Sequence, residues 1–142
     1  MAAKQLSVFI ENRKGRLGEV LGVLRENNVN ILSLSLADTT EYGLLRLIVN
    51  TPEACKEKLT ESGFSTLLTD VLIVKITHKS GSLQELLQIL SDNEISIEYM
   101  YGLSVDGADA SVVIKTSDLK LAEKIFIDNG VEFLSAEELA KL

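Results

Sequence analysis

The residues best suited to bind a small polar molecule lie in two short turns of this 142-residue chain, each built around one glycine. The first turn holds Asn12 and Gly15 and runs into Arg16 and Leu17, where a helical pattern begins. A helix that begins at a glycine leaves several backbone amides without acceptors, at the positive end of its dipole. We therefore predict that the amides near Gly15, Arg16 and Leu17 bind a carboxylate.

Two asparagines complete this predicted site. Asn12 ends the first predicted strand and Asn30 opens the second, and each side chain offers both a donor and an acceptor. Together they could bind the ammonium and carboxylate groups of one small molecule. The alternative is structural: Gly15 only permits a tight turn, and both asparagines cap backbone groups, because these residue types are common in turns.

The second turn repeats the first with different side chains. His78 stands where the first turn has Asn12, Gly81 matches Gly15, and Ser96 replaces Asn30. A catalytic histidine needs a nucleophile and an orienting group, and a metal-bound histidine needs further ligands. The sequence shows neither cluster around His78. It is therefore a candidate ligand contact, and we predict no catalytic residue, no metal and no cofactor.

An internal repeat relates the two turns. Five residue pairs share one spacing of 66 positions: Gly15 and Gly81, Leu17 and Leu83, Leu21 and Leu87, Leu24 and Leu90, and Ile31 and Ile97. Each copy has the same order of patterns: strand, helix, strand, strand, helix, strand. We therefore predict two domains, residues 1–69 and 70–142, joined with almost no linker.

This order of elements predicts an α+β fold. Each half is expected to be a ferredoxin-like βαββαβ domain, with a four-stranded antiparallel sheet and both helices on one face. The predicted strands are 6–11, 29–36, 44–50 and 64–68 in the first copy, and 71–77, 95–103, 110–115 and 131–134 in the second. Ser135 and Glu138 form a capping-box pattern that predicts a last helical turn.

Three further positions carry a prediction. Gly18 and Gly22 lie one turn apart on the first helix, where each costs about 1 kcal/mol relative to alanine. A partner element or a ligand that packs closely on this face would explain that cost, and tolerated surface glycines are the alternative. Cys55 is the only cysteine, and we expect it to be a small buried apolar residue.

Composition and charge exclude several classes of protein. The net charge of −7 argues against nucleic acid and against an anionic membrane surface as partners. The hydrophobic content of 46% argues against disorder, and no apolar run approaches the roughly 20 residues that span a bilayer. A lone cysteine and the absence of a secretory signal pattern favour the reduced cytoplasm.

The two turns and their surroundings resemble the ACT domain family of regulatory amino-acid-binding modules. The similarity rests on residues 10–17 and 28–31 in the first copy and on 78–83 and 94–97 in the second, and it covers about residues 5 to 135. In this family the ligand commonly lies where two ACT units meet. Carried over by position, the resemblance implies these ligand contacts: Asn12, Gly15, Asn30, His78, Gly81 and Ser96.

The resemblance also implies a function. It describes a freestanding tandem ACT protein, similar to glycine-cleavage repressor-like regulators, that binds a small amino acid or related carboxylate and signals to a partner metabolic enzyme. We expect a homodimer and no enzymatic activity. Ser96 in place of asparagine predicts that the two sites are unequal, and Ile10 stands where related binders carry histidine. The alternative is a structural or protein-interaction module without a ligand.

Overall fold

The computed structural model describes residues 2–11, 13–38, 41–77, 79–104 and 110–142. Two predicted ligand residues, Asn12 and His78, lie outside the described residues. The chain divides into two compact units. The first unit comprises Lys4–Thr69 with Leu139–Leu142, and the second comprises Asp70–Glu138 with the N-terminal residues up to Ala3.

The first unit alternates strands and helices in the predicted order. Its strands are neighbours in the order β2-β3-β1-β4, and β3 pairs antiparallel with both β1 and β2. The elements are β1 (Ala3–Glu11), α1 (Arg16–Glu26), β2 (Ile31–Asp38), β3 (Tyr42–Val49), α2 (Pro52–Glu61) and β4 (Ser65–Lys75).

The core of the first unit lies between the sheet and both helices. Alternate residues of β1, Leu6 and Val8 among them, point to one face of the sheet, as a strand period of two requires. Leu24 of α1 and Leu59 of α2 pack against that same face and are at most 1% exposed. Both helices of this unit therefore cover one side of the sheet.

The second unit begins with the later part of β4 and repeats the pattern. Its strands are neighbours in the order β4-β6-β5, and Leu72 and Val74 of β4 face Leu90 and Phe126 in its core. The remaining elements are α3 (Ser82–Asp92), β5 (Ile97–Leu103), β6 (Ser111–Thr116), α4 (Leu119–Asp128) and α5 (Ala136–Ala140). No helix in the described ranges is long and apolar enough to cross a bilayer.

The sheets differ from the prediction in two ways. The strands expected at 64–68 and 71–77 are one continuous strand, β4, because no glycine or proline interrupts residues 65–75. The strand expected at 131–134 is only an isolated bridge between Phe133 and Val74. The available stretch is short, since it lies between Gly130 and the cap of α5. The four-stranded sheet predicted for each domain is therefore not confirmed.

The predicted last helical turn is present as α5. The Ser135 hydroxyl accepts a hydrogen bond from the Glu138 amide at 3.1 Å and donates to the Glu138 carboxylate at 3.4 Å. The first bond is the serine half of the predicted capping box; in the second, the Glu138 carboxylate accepts from the Ser135 hydroxyl in place of the backbone amide that a full capping box uses.

Candidate ligand-binding site

The first glycine turn has the backbone geometry that a ligand-binding helix end requires. Gly15 has φ of 88°, in the left-handed region that favours glycine, and caps α1 without a side-chain hydrogen bond. Its carbonyl accepts from the Glu19 amide at 3.1 Å, and the Arg16 amide donates to the Arg13 carbonyl at 3.3 Å. Among the described residues, none accepts a hydrogen bond from the Leu17 or Gly18 amide. These two amides remain available to an anion.

A cavity of about 370 Å³, here called the α1 cavity, lies beside this turn. Glu11 and Arg13 place a carboxylate and a guanidinium on its wall, 4.0 Å apart and both largely exposed. Leu17 and Leu36 contribute apolar surface. The cavity is lined by Ile10, Glu11, Arg13, Gly15, Leu17, Gly18, Leu36, Ala37 and Gly43.

Two of the predicted contacts, Gly15 and Leu17, line the α1 cavity, and Arg16 does not. The Arg16 guanidinium lies 4.1 Å from the centre of the Phe64 ring and forms an ion pair with Glu19 at 2.5 Å. Only 13% of its side chain is exposed. The Arg16 side chain is therefore committed to contacts within the first unit.

Asn30 is also bound within the first unit and is not among the residues that line the α1 cavity. Its side-chain amide donates to the Leu142 carbonyl at 2.8 Å. Its backbone amide donates to the Asn50 side chain at 2.9 Å, and the Asn50 amide donates back to the Asn30 carbonyl at 3.2 Å. These bonds join the start of β2 to the residue that follows β3.

Ser96 makes the same reciprocal pair in the second unit. Its amide donates to the Ser117 hydroxyl at 3.2 Å, and the Ser117 amide donates to the Ser96 carbonyl at 2.9 Å. At both positions, backbone groups of the residue before the second strand are capped. The Asn30 side chain therefore caps a backbone group, as the structural alternative for the asparagines proposes, whereas the Ser96 backbone is capped by Ser117; the ligand contacts of both residues stay predictions.

The second glycine turn borders a larger cavity, here called the α3 cavity, of about 850 Å³. Gly81 has φ of 85° and lines it, as predicted for a turn equivalent to that of Gly15. Lys79 is the only charged residue among the described residues of its wall, whereas the α1 cavity has charges of both signs. The wall comprises Ile76, Thr77, Lys79, Ser80, Gly81, Ser82, Leu83, Gln84, Leu87, Gln88 and Ser91.

The outer face of α1 and the strand β2 present open surface. A Cβ added to Gly18 or Gly22 would meet no heavy atom within 4 Å, so the described chain does not supply the close packing that these glycines suggested. Leu34 and Leu36 of β2 are each 51% exposed. They pair with the buried residues Leu47 and Leu45 of β3 and so lie on the helix-covered side of the sheet.

Sequence reasoning missed Glu11, Leu36, Ala37 and Gly43 as cavity residues. Glu11 ends β1 just before the first turn. A carboxylate at the end of a strand and close to a helix start could have indicated its position at the cavity. Leu36 and Gly43 come from β2 and β3, and nothing local to those residues indicates their position beside the turn. Their placement depends on strand pairing.

Cys55 is a buried thiol. Burial raises the pKa of the Cys55 thiol to about 11, so it remains protonated at neutral pH and is a poor nucleophile. In the part of the chain that the structure describes, no three His, Cys, Asp or Glu side chains come together as a metal site would require.

The chain was compared with protein-family models, curated proteins and solved structures. The family model of the ACT domain pair matches residues 1–142, the whole chain. A search of curated proteins found no significant match. A Bacteroides thetaiotaomicron protein of known crystal structure is 37% identical with a TM-score of 0.93, and the match covers 100% of this chain and 98% of that one.

Two more distant structures are similar to this chain to different degrees. The ligand-free regulatory subunit of aspartate kinase from Thermus thermophilus is 14% identical, with a TM-score of 0.60 and coverage of 88% of this chain and 90% of that one. A putative glycine cleavage system transcriptional repressor is 13% identical, with a TM-score of 0.40 and coverage of 94% and 95%. At 14% identity the kinase subunit is evidence for the fold alone.

Proposed function

Since the chain belongs to the ACT domain family, as an ACT domain pair, we propose that it is a non-enzymatic cytoplasmic regulator that binds a small amino acid or related carboxylate. The observation that carries this proposal is the α1 cavity. It combines a helix N-terminus, both signs of charge and apolar surface in a volume of about 370 Å³, which is within the usual range for small-molecule pockets.

The groups around the α1 cavity match the parts of an amino acid. The free amides of Leu17 and Gly18, with the Arg13 guanidinium, suit the carboxylate. The Glu11 carboxylate suits the ammonium group, and Leu36 offers an apolar contact for a short side chain. This arrangement favours a zwitterion over a simple anion, because a carboxylate such as Glu11 repels a ligand that carries only negative charge.

The proposed site is completed by a second ACT unit, in a homodimer. The exposed leucines Leu34 and Leu36 lie on β2. Among the described strands β2 pairs only with β3, so its outer edge can accept another chain. A ligand held between two copies would favour one packing of the pair over another and pass that state to a partner metabolic enzyme.

The test replaces Gly18, which lines the α1 cavity, with the residue that the second repeat has at that position. Gly18→Gln places a side chain in the cavity and does not weaken the helix, because glutamine is a better helix former than glycine. Gly22→Gln is the matched control, one turn further along α1 and outside the cavity wall. Wild type and both variants are titrated calorimetrically with a panel of amino acids.

We expect one or a few small amino acids to bind the wild type and the Gly22→Gln variant. Affinity for Gly18→Gln should fall about tenfold or more, because hydrogen bonds to charged groups contribute about 1.5–3 kcal/mol each and the new side chain displaces them. Equal affinity in all three proteins would place the ligand elsewhere. A wild type that binds no amino acid would leave the protein-interaction module as the better description.

That second candidate has an observation of its own in its favour. The Asn30 side chain is already bound to the Leu142 carbonyl, so one predicted ligand contact is occupied by the chain itself. An interaction module would keep the exposed leucines of β2 for a partner and need no ligand. Capture of one partner enzyme that is unaffected by every amino acid in the panel would support it.

A further inference from the structure

A third cavity lies in the second unit, on the side of α3 that faces the turn after α4. We call it the α4-turn cleft, and its volume is about 420 Å³. Its wall comes from the end of β4, the first two turns of α3 and the residues after α4. The described lining residues are Lys75, Ile76, Thr77, Ser82, Glu85, Leu86, Ile89, Gly130, Val131 and Glu132.

The internal repeat identifies the equivalent place in the first unit. Up to the second strand the copies are offset by 66 positions, so Ser82 is equivalent to Arg16 and Glu85 to Glu19. After the hairpin the offset is 67. Gly63 and Gly130, which follow the second helix of each copy, both have a positive φ. The amide of the residue after each glycine, Phe64 or Val131, donates to the carbonyl five positions earlier. Val131 is therefore the counterpart of Phe64.

In the first unit these positions hold a guanidinium. The Arg16 guanidinium carbon lies 4.1 Å from the Phe64 ring centre, and the charge is paired with Glu19. Phe64 is only 5% exposed, and the Arg16 side chain 13%. The cation is thus enclosed between a flat aromatic face and a carboxylate, two surfaces that favour a guanidinium.

In the second unit the carboxylate remains but the cation and the ring are absent. Ser82 and Val131 are shorter than their counterparts, and both of them line the α4-turn cleft together with Glu85. Ser82 shares a hydrogen bond of 2.7 Å with Thr77 and so is held at the wall. The cleft therefore occupies the space that an internal arginine fills in the first unit.

The charge of the cleft also suits a cation. Glu85 and Glu132 both line it, and neither side chain forms an ion pair with a described residue. Among the described lining residues Lys75 is the only cation, and its ammonium is paired with the Glu138 carboxylate at 3.7 Å. The balance at the wall is therefore negative.

We propose that the α4-turn cleft binds a guanidinium group, with Glu85 in the role that Glu19 has toward Arg16. The group is planar, and its fork of donors suits carboxylates such as Glu85 and Glu132. It belongs either to a free small molecule or to an arginine side chain of a partner protein. The inference does not depend on the amino-acid site, because the α1 cavity lies in the other unit.

The experiment is a titration of isotope-labelled protein followed by amide NMR shifts. The probes are agmatine, which represents a free guanidine compound, and N-acetylarginine amide, which represents a protein side chain. n-Butylamine serves as the ammonium comparison. We expect both guanidine probes to shift the amides of residues 82–85 and 130–132, and the tighter of the two identifies the source. Amides around Gly15 should not move.

Three variants test the geometry. Glu85→Gln should weaken guanidine binding about tenfold, since a charged pair becomes a neutral contact. The control Glu26→Gln removes the same charge from an exposed site at the end of α1 and should leave affinity unchanged. Ser82→Arg with Val131→Phe rebuilds the arrangement of the first unit, so it should abolish binding of both probes and raise the midpoint of thermal unfolding.

Four results would overturn the proposal. They are the absence of amide shifts with both guanidine probes, equal affinity for n-butylamine, unchanged affinity in Glu85→Gln, or undiminished binding in the double variant. Glu85 is exposed, so its variant is expected to fold, and a native circular dichroism spectrum confirms that each comparison is valid.

Discussion

Four glycines of the two repeats allow backbone conformation to be tested apart from packing. A Cβ added to Gly15, Gly81, Gly18 or Gly22 would meet no heavy atom within 4 Å, so steric conflict with neighbours contributes nothing. Gly15 and Gly81 have φ of 88° and 85°, whereas Gly18 and Gly22 lie inside α1 without a positive φ. The same substitution by alanine should therefore have opposite effects at the two kinds of position.

The magnitudes follow from this difference. At Gly15 or Gly81 an alanine must adopt a left-handed conformation, which costs about 1–2 kcal/mol. At Gly18 or Gly22 it replaces the poorer helix former and should stabilise the fold by about 1 kcal/mol. The free energies of unfolding of Gly15→Ala and Gly18→Ala should thus differ by about 2–3 kcal/mol, which is a factor of roughly 30 to 150 in the unfolding equilibrium.

The assay is urea unfolding followed by far-ultraviolet circular dichroism. The chain has no tryptophan, which excludes tryptophan fluorescence as the signal. Urea is preferred because guanidinium is itself the proposed ligand of the α4-turn cleft. The slope of the unfolding free energy against urea concentration should be the same in all four variants, since none changes the buried surface.

Two outcomes would refute the reasoning. A neutral or stabilising Gly15→Ala would mean that the turn does not need a positive φ in solution. A destabilising Gly18→Ala or Gly22→Ala would mean that another surface packs against these positions. Repeating the measurement at low and high protein concentration then distinguishes a second copy from the chain itself, because only association depends on concentration.

Three further predictions concern the buried thiol, the core and the open strand. Burial raises the pKa of Cys55 to about 11 from 9.0, so thiol reagents should modify it only after unfolding. Between these two pH values the unfolded chain loses a proton that the folded chain keeps. The free energy of unfolding, measured with urea at a series of pH values, should therefore fall as pH rises. The Cys55→Ala variant should lack this contribution. Leu59→Ala, at a fully buried site, should cost about 2–5 kcal/mol in urea unfolding. The same change at Leu67, which is 53% exposed, should stay within about 0.5 kcal/mol, and equal costs would contradict the assigned core. Replacing Leu34 and Leu36 with glutamate should weaken self-association in sedimentation velocity without loss of stability, and an unchanged dimer would remove β2 from the proposed interface.

The parts of the fold that sequence predicted correctly are those with local causes. Leu17 and Leu24 follow a helical period, and Gly15, which precedes them, has the positive φ that favours glycine. The Ser135 hydroxyl accepts from the Glu138 amide within one turn of helix. Each of these depends on residues a few positions apart, which is the range over which sequence patterns are informative.

The parts that sequence did not predict depend on distant contacts. The repeat suggested an interruption near Thr69, but no residue there breaks a strand, and β4 continues to Lys75. Arg16 follows Gly15, and its contact with a ligand stays a prediction. The contact of its side chain with Phe64, 48 positions further along the chain, has no local sign in the sequence.

The contact of the Arg16 guanidinium with the Phe64 ring gives a reference against which guanidinium binding in the second unit can be compared. Arg16 is tethered to its site, so its effective concentration there is far higher than any dissolved compound reaches, and it loses little freedom on docking. The stability lost in Arg16→Ser therefore sets a ceiling on what an untethered guanidinium can gain in the sister repeat. A stability measurement on the first unit thus limits the affinity that can be expected of the α4-turn cleft in the second.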